Sequence, residues 1–261
     1  GAMMVMAEEA AKPAEAAKAT VPAMAARKQI TPEQRAAMKA KFEERMAARK
    51  AEIEKKAVEV IKKYGLDDEK AKALFKQHVE NVITRTNRYT GVKYIDDPTI
   101  MAWQIGNEPR PFGEENFAAF EEWVLDVAAQ IKSLDPNHMV ATGSEGKWGC
   151  EGDTLMCERI HGNANIDYLN FHLWPLNWNW IADSTVCENL PVAKRETKAY
   201  IDEAYELMSA AGRPMVLEEF GYPRDRFLFT PGSPTKGRDA YYKYVFAIIR
   251  DSGKIAGCNF W

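Results

Sequence analysis

The sequence predicts an α/β fold built on a parallel sheet, and three observations carry that prediction. Short runs rich in apolar residues recur at about Ile100, Met139, Ile166, Met215 and Ile255. Helical patterns separate them, over about 115–134, 155–160, 193–210 and 238–252, which is the rhythm of βαβ units. Two of the strand runs also end in glutamate flanked by Gly or Pro, and functional groups of such sheets gather at strand ends.

From Glu8 to Ala26 the chain is Ala, Lys, Glu and Pro with scarcely an apolar anchor. Such a stretch cannot offset its ordering entropy, so residues 1–30 read as linker, with Gly1-Ala2-Met3 as a cleavage scar of recombinant expression. Thr31-Pro32-Glu33-Gln34 announces a helix, with Thr31 at the N-cap, Pro32 at the first position and Gln34 completing a capping box. The helix should run to about Lys63 and stop at Gly65, giving a charged segment over 31–66. Its Met38, Phe42 and Met46 form a narrow stripe, and the remainder reads as a solvated face of i,i+4 pairs.

Asp67 is expected to cap the next helix, from Asp68 to about Asn87. Leu74, Phe75, His78, Val79, Val82 and Ile83 make its apolar face, which predicts a packed His78.

The first strand is Ile100-Met101-Ala102-Trp103-Gln104-Ile105, disfavoured as helix by Pro98 and closed by Gly106-Asn107-Glu108-Pro109. A lone carboxylate there either caps the loop or does chemistry. A second strand, Pro214-Met215-Val216-Leu217, also ends in carboxylates, Glu218-Glu219, before Phe220-Gly221. Two parallel strands delivering glutamates to one sheet edge meet the need of glycoside hydrolysis: one acid to protonate the leaving oxygen, one carboxylate to attack or activate water. Strict alternation puts Met215, Leu217 and Glu219 on one side and Val216 and Glu218 on the other. One glutamate of the pair is therefore expected in the site, and the other in a structural contact.

Trp103-Gln104-Ile105-Gly106-Asn107-Glu108-Pro109, Phe171-His172-Leu173-Trp174-Pro175, Leu217-Glu218-Glu219-Phe220-Gly221-Tyr222-Pro223 and Asn259-Phe260-Trp261 together resemble glycoside hydrolase family 5. Within it they most resemble the endo-1,4-β-mannanases, over about Ala71 to Trp261. The resemblance implies a partial (β/α)8 TIM barrel over 67–261, holding strands four to eight and lacking the first three. It implies retaining hydrolysis of β-1,4 bonds in mannan-type polysaccharides, with Glu108 as general acid/base and Glu219 as nucleophile. Asn107 would hold the sugar 2-hydroxyl, His172 would orient the acid/base, and Trp261 would floor the cleavage point. Trp174, also expected to bind substrate, shares with Trp178 and Trp180 a second reading as loop packing. Asn107 can equally be a turn residue, and His172 a satisfied buried imidazole. No metal or cofactor is implied. Action on another β-1,4-glycan, and a barrel fragment without turnover, stand as alternatives.

The retaining reading sets the two carboxyl groups about 5 to 5.5 Å apart and turns Glu218 away from Glu108. By the same resemblance the protein acts outside the cytoplasm, although Met3 to Met6 is too short for a signal-peptide core. A formal net charge of -3 gives no footprint for nucleic acid or anionic membrane, and no run is long enough to span a bilayer. The cysteines lack zinc spacing. Cys150 and Cys157 are either a small disulfide loop or buried thiols.

Overall fold

The computed structural model describes residues 40, 41, 44, 45, 47–49, 51–59 and 68–261. The expected linker, the Thr31 capping box, Gly65 and Asp67 lie outside the described residues, whereas those described between 40 and 59 are helical. The remainder alternates helix and strand: α1 (Asp68–Ile83), β1 (Ala102–Gln104), α2 (Phe117–Leu134), β2 (Met139–Ala141), α3 (Thr154–His161), β3 (Leu169–Leu173), α4 (Leu190–Ala211), β4 (Met215–Phe220), α5 (Lys236–Ser252) and β5 (Gly257–Cys258). Local chemistry sets several boundaries. Asp153 caps α3 by accepting from the Met156 amide at 2.9 Å. Pro191 occupies the first turn of α4, where its missing N–H costs nothing.

Among the described residues all strand pairs are parallel. Ala102 lies opposite Met139 in β1–β2, and β3, β4 and β5 pair in that order. Between the two groups, the Asp167 amide donates to Val140 O at 2.8 Å and the Asp167 carboxylate accepts from the Val140 amide. Among the described residues five strands thus follow one another in chain order, as a two-stranded and a three-stranded sheet joined edge to edge by these two bonds. One face of the joined sheets is packed. Val127 and Ile131 of α2, Ile160 of α3, Ile201 and Met208 of α4 and Tyr241 of α5 bury against Val140, Phe171, Met215 and Leu217. Each fully buried side chain of this size contributes about 1.5 to 3 kcal/mol. The opposite face carries Gln104, Val216 and Glu218, none of them buried. Among the described residues no strand pairs with the outer side of β1 or of β5.

That open side corrects one expectation. Val79 and Ile83 of α1 are buried, but His78 is exposed and Leu74 is 53% exposed. No described element covers the flank of α1 on which they stand. The cysteine alternatives resolve to thiols: all four cysteines are free, with Cys150 and Cys157 buried. No helix among the described residues is long and apolar enough to cross a membrane.

A polar hub fixes β1 to α2. Asp135, fully buried at the end of α2, accepts from Trp103 Nε1 at 2.7 Å, His138 Nδ1 at 2.6 Å, and the amides of Asn137 and His138. Burial pushes the Asp135 carboxyl up, but these donors outweigh it and hold the group below the usual range. Asp135→Ala would strand all four donors and is expected to cost about 3 kcal/mol in chemical unfolding. Because the folded-state value is depressed, this contribution is present above the ordinary aspartate range and is lost as pH falls through the folded value. The variant's stability should therefore be flatter than wild type on the acid side.

Candidate active site

The two expected catalytic strands end at one place. Beyond β1 the ladder continues: Ile105, Gly106 and Glu108 donate to Ala141, Thr142 and Gly143 carbonyls at 3.1, 3.3 and 2.8 Å. This zips the loop after β1 against the loop after β2. Gly143, at φ +76°, permits the approach, since a Cβ there would lie 1.7 Å from Gly106 O. Glu108 itself is left-handed, at φ 50°. A long side chain rarely adopts that conformation, and strain of this kind concentrates at functional sites.

The second glutamate arrives through an irregularity. Phe171 pairs with Leu217, but the next residue, His172, pairs with Glu219. One residue of β4, Glu218, is thus unmatched, as in a bulge. Met215, Leu217 and Phe220 are buried. Strict alternation would have sent Glu219 to the helix side with Met215 and Leu217, and the slip turns it to the open face instead. Glu218 also stays on that face, correcting the expectation of a strict division. It accepts from Gln104 Nε2 at 2.5 Å and Tyr168 OH at 3.1 Å, away from Glu108. Burial raises the Glu218 carboxyl, and those two donors only partly offset it.

His172 joins the pair. Its Nδ1 lies 2.9 Å from Glu108 Oε1 and 3.4 Å from Glu219 Oε2. Both neighbours are carboxylates, so Nδ1 carries the proton and donates. That hydrogen bond is the largest influence on Glu108. It outweighs burial and, helped by the positive charges of Arg110 and Arg49, holds the carboxyl below its ordinary value. One ligand atom from each of Glu108, His172 and Glu219 lies within 4.8 Å of the others. These are also the described residues that could share a cation. As a carboxylate pair, the two glutamates approach more closely than the roughly 6.5 to 9.5 Å of a pair set around an attacking water.

Trp174 completes the cluster, donating from Nε1 to Glu219 Oε2 at 3.2 Å. Its ring lies over Gly221, where a Cβ would meet Trp174 Cζ3 at 2.5 Å. Gly221→Ala is therefore expected to push the indole off Glu219. Loss of sugar-induced tryptophan fluorescence change, with far-ultraviolet circular dichroism unaltered, is the readout. Trp261 is 79% exposed at the rim, its amide bound to Phe220 O at 3.0 Å, and shares a cleft with Trp174. Asn107 is exposed beside Glu108. Trp178 packs against Trp180, Trp148 and Tyr200 at centroid distances of 5.0, 6.3 and 5.1 Å, which is loop packing.

Sequence reasoning missed the supports. Arg110, two residues past Glu108, forms a buried ion pair with Glu145 and donates to Trp148 O at 2.9 Å. Gln104 and Tyr168 hold Glu218, and no motif in the sequence marks them for that contact. The alternation of β1 places Gln104 on the same face as the site, and that was the available signal.

A sequence model of the family described as "GH family 5 beta-mannosidase-like" matches residues 39–261. The chain belongs to this family. The match begins earlier than Ala71, so it takes in the described helical residues between 40 and 59. The family member is 30% identical over 208 residues to mannan endo-1,4-beta-mannosidase 7 of Arabidopsis thaliana, covering 74% of this chain and 46% of the relative. It is 33% identical over 219 residues to mannan endo-1,4-beta-mannosidase 1 of Oryza sativa subsp. japonica, covering 76% and 49%. Among solved structures, a glycoside hydrolase family 5 mannosidase from Rhizomucor miehei superposes with a TM-score of 0.65 at 31% identity, covering 74% and 46%. The endo-1,4-beta-D-mannanase of Thermotoga petrophila RKU-1 superposes at 0.60 with 29% identity, covering 74% and 54%. This family 5 chain spans about half the length of the curated relatives it matches. Its fold is consistent with part of a (β/α)8 barrel.

Proposed function

We propose that this protein is a retaining endo-β-1,4-mannanase whose five strands correspond to strands four to eight of the eight-stranded barrel. The observation that carries the reading is the Glu108–His172–Glu219 cluster, one carboxylate from the loop after β1 and one from β4, with one atom of each within 4.8 Å of one atom of the imidazole. In the proposed reaction Glu219 attacks the anomeric carbon while Glu108 protonates the leaving oxygen. Water, deprotonated by Glu108, then releases the sugar from Glu219. His172 orients Glu108, Asn107 reaches for the 2-hydroxyl, and Trp174 and Trp261 offer apolar faces to the pyranose. A mannan chain is too large to cross a membrane, so we place the activity outside the cytoplasm.

The test is a reducing-sugar assay on soluble β-mannan beside a soluble β-1,4-glucan, with Glu219→Gln as the blank. Preference for the glucan would move the protein to a relative with another substrate, and no release from either would remove the reading.

The Glu108–His172 bond gives a pH signature. Glu108 must be protonated to act as acid, so the alkaline limb of kcat/KM follows its ionisation. His172→Ala removes the donor that depresses the Glu108 carboxyl. The alkaline limb is then expected to move to higher pH while the rate at the optimum falls. A limb that stays put would detach His172 from the acid/base.

A further inference from the structure

Past Trp174 the cleft continues into a pocket of about 310 Å3. Trp174, Trp261, Phe227 and Phe229 line it, and its charged lining residues are Arg224 and Arg238, with no carboxylate among them. Phe229 and Trp261 are each 79% exposed. Aromatic groups clustered this openly beside a catalytic pair mark a binding surface, and their apolar faces suit the C–H faces of a pyranose.

The two arginines are what a neutral polysaccharide leaves unexplained. Arg224 Nη1 donates to Ser233 O at 3.1 Å, which fixes the guanidinium without neutralising it. Of the acids nearby, Asp225 is engaged elsewhere and Asp239 pairs only at long range with Arg238. Asp225 accepts from the Lys236 and Gly237 amides at 3.2 and 2.8 Å, at the start of α5. Asp239 accepts from Thr235 Oγ1 at 2.7 Å and reaches Arg238 Nε only at 3.6 Å. Arginine is the side chain best matched to a carboxylate, because its planar fork binds both oxygens.

We propose that this pocket is a sugar subsite selecting a β-1,4-linked unit that carries a carboxylate, a mannuronate in place of a mannose, next to the unit held at Glu219. The proposal rests on the glycosidase reading of Glu108 and Glu219. Mannuronate differs from mannose only at C6, so the aromatic contacts serve both sugars and the guanidinium groups distinguish them.

The experiment uses the full chain as Glu219→Gln, which binds without needing turnover. It is titrated calorimetrically with β-1,4-mannotetraose and with the β-1,4-linked mannuronate tetrasaccharide, at low salt and at about 0.5 M, where screening is strong. The acidic sugar is expected to bind about tenfold tighter at low salt, the gain of one charge-assisted contact. Salt should remove that advantage. Arg224→Gln and Arg238→Gln, introduced singly, should each remove most of it while mannotetraose affinity stays within about twofold. Equal or weaker binding of the acidic sugar, no binding of it, or an advantage that survives both substitutions overturns the proposal. Failure of the wild-type chain to cleave mannan overturns the glycosidase reading instead, and is measured separately.

Discussion

Glu219→Gln is expected to lower turnover of an activated aryl β-mannoside by about 10⁴-fold or more, roughly 5.5 kcal/mol of barrier. Glutamine keeps the side chain's size and its contact distance to Trp174 Nε1 and His172 Nδ1 but cannot form the glycosyl ester. The effect should fall on kcat, with KM little changed, because the lost interaction exists only on the way to the covalent intermediate. A fluorinated mannosyl fluoride, whose ester hydrolyses slowly, should add its sugar mass to the peptide carrying Glu219 and leave the variant unlabelled. A label on Glu218 would reverse the assignment of the adjacent glutamates. The structure argues against that, since Glu218 is occupied by Gln104 and Tyr168.

That adjacent pair also shows where a sequence stops being readable. The strands, the helices between them and the motifs at strand ends follow from hydrophobic period and from Pro and Gly, which act locally. Glu108, Glu219, His172 and Trp174 come together as the motif order implies. The face Glu219 occupies depends on a register slip between β3 and β4, and a bulge is a property of two strands at once. Gly143 and Gly221 look like any loop glycine until the Gly106 carbonyl and the Trp174 ring stand against them. Asp135 reads as a helix-terminal acid, and only the tertiary fold brings Trp103 to it. His78 fails in the opposite direction: its helical spacing is apolar, yet the neighbour that would bury it is not among the described elements.

The described unit by itself is expected to turn over β-mannan well below an ordinary enzyme rate, although its proposed reacting groups are assembled. Glu108 and Glu219 keep 17% and 15% of their side chains exposed, and β1 and β5 have no outer partner among the described strands. Water entering over that open face weakens each electrostatic contact in the site. The larger deficit is positional. Orienting the reactants is worth about 7 to 11 kcal/mol in a complete site, and a misplacement of about 1 Å can cost roughly a hundredfold. On the proposed assignment to strands four to eight, the face bearing Gln104, Val216 and Glu218 would line the lumen of a closed barrel, and three βα units not found among the described strands would supply its other wall. Supplying those units as a separate polypeptide should pair with the free edges of β1 and β5, exclude water and raise the mannanase rate by about a hundredfold or more. The measurement is reducing-sugar release at increasing concentrations of the added piece, with the Glu219→Gln chain carrying the same piece as the blank. Saturating activation shows that the edges are functional seams. Turnover of about 1 to 1,000 per second without any addition would show that five strands already hold the sugar well enough, and would sink the positional account.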